Sequence, residues 1–431
     1  MKKAMVLLFA GILSLGSFMQ TTAGGLDSLV SKVKLSGFGY YMFGDIVKGS
    51  YGDDIQNTFE NQWVNTSLIH VDFTSDATSW LTTKLAYEMY ADFPLKSANA
   101  MDKGSYFRTY TSYLASAEGI MHWDFKNSIF NSLVVESGLF PYTFNSQVKN
   151  LGNYMYRSTI HPLSVQTKVD YPWADLLGVR AEGGLLDNKL KLNAFLTSEF
   201  IYVPFFDMTP AVSVEYAPSK IIDVGAAVAL HHAIQLDDAL LADSIGKRWQ
   251  GTKISAKAIF DPKPLFGGLS FLGEDDCKIY TETAILGFVD SLEVDTAELN
   301  SNGLFPEPNI LQRMPILFGV NLPTWKLLDC FAVELEYFKS PYINDWFGLF
   351  DMQSQFARPP MTTKDWDNYI NKDNFKWSVY LKRAVGKFEL RSIIANDHTI
   401  YRVVNQQLGN FEQTMKKSKD WHWLVQLRYN L

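Results

Sequence analysis

Apolar residues recur at every second position through much of this chain. After residue 23 they never run together for the 18 or more positions that a membrane-crossing helix needs. In residues 80–90, Leu81, Thr83, Leu85, Tyr87 and Met89 share one face, while Lys84 and Glu88 sit on the other. Residues 375–382 set Phe375, Trp377, Val379 and Leu381 against Lys376, Ser378, Tyr380 and Lys382. Residues 331–337 and 252–261 do the same. Successive side chains of a strand point to opposite faces, so each segment is a strand with one oily and one wet side. The oily side is rich in rings, with 30 Phe, 21 Tyr and 11 Trp in 431 residues, a content that excludes disorder. An excess of 46 acidic over 39 basic residues argues against a nucleic-acid partner.

The first 23 residues read as an address. Lys2 and Lys3 open an apolar stretch from Ala4 to Leu15, and Met19-Gln20-Thr21-Thr22-Ala23 offers small residues for a signal peptidase. Removing residues 1–23 takes two lysines and no acid, which moves the net charge from −7 to −9. An exported chain with no spanning helix is either soluble or a β-barrel of the outer membrane.

Loop lengths separate these two. Strands are expected near 33–43, 62–73, 79–90, 106–124, 130–141, 165–185, 189–200, 208–217, 221–233, 248–261, 277–289, 313–322, 327–338, 374–384, 387–396 and 420–431. Connections after even-numbered strands are mostly tight, as at Leu186-Asp187-Asn188, Ala217-Pro218-Ser219-Lys220 and Pro323-Thr324-Trp325-Lys326. Those after odd-numbered strands are mostly long: 44–61, 91–105, 142–164, 290–312, 339–373 and 397–419. A soluble sandwich has no reason to sort its loops; an outer-membrane barrel has tight periplasmic turns and long outer loops. Two stretches break the rule: 262–276 is long on the tight side and 201–207 is short on the other. Trp421, Trp423, Val425, Leu427, Tyr429 and Leu431 alternate to the last residue, as a closing strand would, and that strand is where assembly machinery would engage. The expected fold is all-β: an antiparallel transmembrane barrel of about 16 strands (range 14–18) filling 24–431 and facing outer-membrane lipid.

At that strand number side chains no longer fill the interior. The wet faces would then line a lumen, with Lys84, Glu88, Arg180, Glu182, Lys253, Lys257, Glu282, Glu334, Glu336, Lys376, Lys382 and Arg391 pointing inward, since charge on a lipid face is costly. The segment 142–164, with Lys149, Arg157 and His161, either folds into the lumen as a constriction or stands at the surface.

Leu133-Val134-Val135-Glu136-Ser137-Gly138-Leu139-Phe140-Pro141-Tyr142-Thr143-Phe144 resembles a strand end of the phosphate-selective porins. Tyr154-Met155-Tyr156-Arg157-Ser158 is similar to the aromatic-x-Arg-Ser segment that follows it there, and residues 175–190 resemble the next hairpin. The resemblance implies a 16-stranded barrel, a homotrimer and a selective site on the third outer loop. Of that site only Arg157 carries over, with Lys149 nearby. A mixed lumen and an acidic mature chain leave anion selectivity, carbohydrate selectivity and general diffusion open. Arg157, Lys149 and Glu136 are the candidates for shaping the narrow point.

An enzyme would need a catalytic constellation. The histidines are His70, His122, His161, His231, His232, His398 and His422, and no nucleophile elbow or metal-ligand spacing accompanies them. The adjacent His231 and His232 are expected on opposite faces of one strand. No cofactor or metal is called for. An adhesive or structural barrel stands as a further alternative, since long loops bind partners. Cys277 and Cys330, on strands two apart, are expected as free thiols because roughly 9–10 Å separates such backbones.

Overall fold

The computed structural model describes residues 33–50, 58–92, 109–125, 129–157, 174–198, 206–234, 251–267, 269–286, 311, 314–338, 375–397, 400–402, 411–413 and 419–431. The expected leader 1–23 and most of the long connections lie outside these residues. The strands are β1 (Val33–Ser50), β2 (Thr58–Asp76), β3 (Leu81–Asp92), β4 (Thr109–Asp124), β5 (Phe130–Tyr142), β6 (Ala174–Leu185), β7 (Leu190–Ser198), β8 (Met208–Tyr216) and β9 (Ile222–His231). They continue as β10 (Gly251–Phe260), β11 (Ile279–Leu286), β12 (Ile316–Asn321), β13 (Cys330–Tyr337), β14 (Phe375–Val385), β15 (Phe388–Asn396), β16 (Ile400–Arg402), β17 (Phe411–Gln413) and β18 (Trp421–Asn430).

All but β16 and β17 form one closed antiparallel barrel of 16 strands, each pairing with its neighbour in sequence. The terminal strand closes it: β18 pairs with β15 on one side and β1 on the other, with Tyr41 opposite Leu427 and Phe43 opposite Val425. Closure leaves no open sheet edge. β16 and β17 make a separate small hairpin in the connection after β15, which alternation did not anticipate because each strand is only three residues long. The first strand is also longer than expected, reaching Ser50 where the sequence places the start of the long connection 44–61.

The two faces divide as the alternation requires. Leu35, Tyr41, Phe43, Ile69, Phe73, Leu85, Val212, Phe318, Leu390 and Leu427, among others, are exposed on the outside and form an apolar belt around the barrel. A belt on that scale is far larger than water-facing surfaces carry, and it suits hydrocarbon. Trp63, Trp80, Tyr337 and Trp423 belong to the aromatic rows at strand ends, where Trp80 stacks on Trp123 and Trp63 meets Trp423 edge-on.

Tight turns follow even-numbered strands at 77–80, 186–189, 217–221 and 386–387. Leu186, Asp187 and Asn188 all have positive φ, as do Trp325 and Lys326, which gives each turn the local twist that returns a strand onto its partner. On the same rim, residues 261–267 and 269–278 belong to a longer, folded connection with a 3-10 turn at Lys263–Phe266.

Candidate functional site

Tyr142 ends β5, and the chain after it packs onto the inward face of β7 to β14. The inner wall leaves room there because its residues are small: Ala211, Ser213, Gly225, Ala227, Ala229 and Ala284. Phe140, Tyr142, Phe144, Met155 and Tyr156 fill that space against Phe195 and the β8 and β9 alanines. Val148, Leu151 and Tyr154 pack further round, on Ile259, Tyr280, Leu286 and Leu317.

Polar groups fix the segment as well. The Glu334 carboxylate accepts the backbone N–H groups of Lys149 (2.5 Å), Asn150 (2.9 Å) and Leu151 (2.9 Å), and the Tyr280 hydroxyl at 2.9 Å. The Glu282 carboxylate accepts those of Asn153 (3.0 Å) and Tyr154 (2.7 Å), while the Tyr154 hydroxyl donates to Glu336 at 2.6 Å. Carbonyls of the segment take the opposite partners. Lys253 Nζ donates to the oxygens of Arg157 (2.8 Å) and Tyr154 (3.4 Å), and Lys257 Nζ to that of Phe144 (2.7 Å) and to Glu215 (2.6 Å). Asn150 reaches Ser378 at 3.1 Å and Asp397 at 2.6 Å. Charge-assisted bonds of this kind contribute about 1.5–3 kcal/mol each, and buried charges are tolerated only when so satisfied.

Register explains why these charges meet the segment. Lys376 is opposite Glu336, Glu336 opposite Leu317, Leu317 opposite Glu282, Glu282 opposite Lys257, and Lys257 opposite Gly225, which faces Glu215. One row around the inner wall thus carries charges of both signs, with the neutral Leu317 between Glu336 and Glu282 and Gly225 between Lys257 and Glu215. Two glycines, Gly225 in this row and Gly319 in the row through Tyr280 and Glu334, let side chains reach across a strand. A Cβ on Gly319 would lie 2.1 Å from the Tyr280 ring, so only glycine admits the tyrosine that reaches Glu334. A Cβ on Gly225 would lie 2.8 Å from Lys257 Cε, on its path to Glu215.

On the remaining arc, inward charges pair with side chains of the same or adjacent strands. His70 meets Glu88 at 2.9 Å and Asp72 at 3.1 Å, and Tyr113 also donates to Glu88. Lys84 lies 3.4 Å from Glu118 and 3.9 Å from Asp72. Arg180 bridges Glu136 at 3.3 Å and Glu182, and Glu389 is shared by Arg391 and by Lys382 at 3.3 Å. The Arg428 guanidinium lies 3.6 Å over the Phe38 ring, which stacks on His70.

The three candidates for the narrow point are not one cluster. Glu136 belongs to the Arg180 group on β5 and β6. Lys149 faces Asp275 at 3.8 Å, a contact between segments that enter from opposite rims. Arg157 is buried at the far end of the segment; burial pulls its guanidinium down to about 10, against the pull of Glu282, Glu336 and Glu334. The expectation for the adjacent histidines is corrected: His231 and His232 are both buried on the inside. A φ of 52° at His232 ends the alternation, and its ring meets Asp207 at 3.3 Å. Among the described residues, no group of three His, Cys, Asp or Glu is placed to hold a metal ion. Cys277 and Cys330 are free.

No protein-family model, that of the phosphate-selective porins included, and no curated protein matches this chain. Among solved structures it is similar to mutants of Rhodopseudomonas blastica porin. One is 9% identical, covers 93% of this chain and 100% of that one, and has a TM-score of 0.43. A triple mutant is 8% identical over the same shares, with a TM-score of 0.42.

Proposed function

We propose that this chain is an outer-membrane porin through which small hydrophilic solutes or ions diffuse passively. The observation that carries the reading is the segment 143–157, held against one side of the inner wall by buried carboxylates and lysines. The opposite arc meanwhile keeps charged groups in partial contact with solvent. In a barrel of this width such a segment turns an open tube into a sieve, and mixed charge on the remaining arc sets the field a solute crosses. Arg157 then shapes the segment from within, while Lys149 and Glu136 offer charge at its margins. The tight-turn rim faces the periplasm, residues 1–23 serve export, and the assembled protein is a homotrimer in outer-membrane lipid, inserted by assembly machinery that engages β18.

Planar-bilayer recording of the purified chain tests this. Discrete conductance steps are expected; a bilayer that stays silent at high protein concentration sinks the proposal. A reversal potential in a salt gradient, compared between wild type and Lys149→Glu, then tests whether the segment borders the passage. An unchanged potential removes it from the ion path.

A further inference from the structure

We propose that the connection between β10 and β11, in its described residues 261–267 and 269–278, is a membrane foot: a folded loop whose apolar side enters the lipid interface at the tight-turn rim. The inference rests on the reading that the apolar belt lies in lipid, and adds a second lipid-binding surface outside the strands.

This connection is the long exception on a rim of tight turns, and it has a built interior. Lys263 Nζ reaches Asp261 at 3.4 Å and the carbonyls of Gly273 (3.3 Å) and Glu274. Asp276 accepts the Gly273 N–H at 2.8 Å and the Thr324 hydroxyl at 2.9 Å, which ties the loop to the β12–β13 turn. Lys278 pairs with Asp275 at 2.7 Å. Polar groups are turned into the loop, and the large apolar ones are left outside. Phe266 is 65% exposed, and Leu265, Leu269 and Phe271 are exposed with it. On the neighbouring turn Trp325 is exposed and Leu327 is 74% exposed.

A loop with polar contents and an apolar exterior repeats the organisation of the barrel wall, and water is a poor solvent for it. What covers it follows from continuity. The strands that carry the loop end on paired, outward-facing Phe260 and Ile279, both exposed members of the apolar belt. The loop leaves one residue beyond that pair. Trp325 with Lys326 beside it suits the boundary zone, where indole rings and lysines sit among headgroups. Segments of this composition bury their apolar side to the level of the first acyl carbons.

Depth-dependent fluorescence quenching on the full chain tests the foot. In a Cys277→Ser, Cys330→Ser background, single cysteines at Phe266→Cys, at Phe260→Cys in the belt and at Lys220→Cys on the β8–β9 turn are labelled with bimane. The protein is reconstituted in phosphatidylcholine–phosphatidylglycerol vesicles carrying a nitroxide near the headgroup end of the acyl chain. The label at 266 is expected to be blue-shifted and quenched several-fold more than that at 220, and Leu265→Cys should behave alike. Quenching at 260 without quenching at 266 overturns the foot alone. Blue-shifted emission at 266 that the nitroxide does not reach also overturns it, because protein then covers the patch. No quenching at 260 overturns the membrane reading, and the foot with it.

Discussion

Glu282 and Glu334 on one side of the barrel, and Glu88 and Glu118 on the other, are all inward carboxylates that alternation treats alike. Their partners differ. Glu282 and Glu334, both 0% exposed, accept main-chain N–H groups of a segment far away in sequence. Glu88 and Glu118 bind side chains on adjacent strands, in a sector where Lys84 (32% exposed) and Lys382 (33%) keep contact with solvent while Arg391 is buried beside Glu389. In the first sector charge is used to hold backbone; in the second it remains available to whatever passes. The difference comes from the small inward residues of β8 and β9, which admit the segment on one side only.

The largest test of this contrast is Glu334→Leu. It strands three backbone donors and the Tyr280 hydroxyl in a buried site, and breaking such a buried charged site costs about 3–5 kcal/mol. Residues 143–157 should become sensitive to protease while the barrel persists, and the conductance of the proposed channel should rise. A protease pattern identical to wild type would break the contrast. Gly319→Ala comes next. Its Cβ would force Tyr280 off Glu334, and overpacking of this kind costs about 1–3 kcal/mol. Thermal unfolding in detergent should show a lower midpoint than wild type, with strand content unchanged.

On the other arc the same kind of change should move selectivity and leave stability alone. Lys84→Gln with Lys382→Gln removes the charge of two side chains that are themselves about a third exposed, and each glutamine keeps a hydrogen-bonding amide beside its buried partner, Glu118 or Glu389. The midpoint should stay near wild type while the reversal potential shifts toward cations. An unfolded double variant, or an unshifted potential, would show that this sector is structural as well.

How much of this was legible in the sequence follows from the range of each interaction. Alternation placed the barrel strands one for one, because the side-chain period of a strand is local: residues 248–261 were expected and Gly251–Phe260 is observed. It also put Lys253, Lys257, Glu334 and Glu336 on the inward face. It could not say that a carboxylate on β13 binds the backbone at residues 149–151, since nothing local links positions 183–185 residues apart. One signal for the segment is local. The inward positions of β9, Gly225, Ala227 and Ala229, are too small to line a wide lumen usefully, and they mark where another part of the chain must lie. His232 was misplaced for a related reason, because one left-handed residue reverses a face and β9 ends just before it.

The smallest effect expected is at the contact between the two rims. Burial pushes the Asp275 carboxyl up, but Lys149 and Lys278 beside it outweigh burial and hold it below its ordinary value of 3.8. A carboxyl lowered on folding contributes stability that is present above about pH 4, its unfolded range, and is lost as the pH falls through the folded value. Asp275→Asn should therefore lower the unfolding midpoint slightly at neutral pH, by no more than about 1 kcal/mol for a partly exposed pair. The difference from wild type should vanish in acid. Lys149→Met should remove part of the same pH-dependent difference, because the two groups share one contact. A gap between wild type and Asp275→Asn that widens on acidification would mean that the pair does not hold the segment, and that the covered sector is fixed by Glu282 and Glu334 alone.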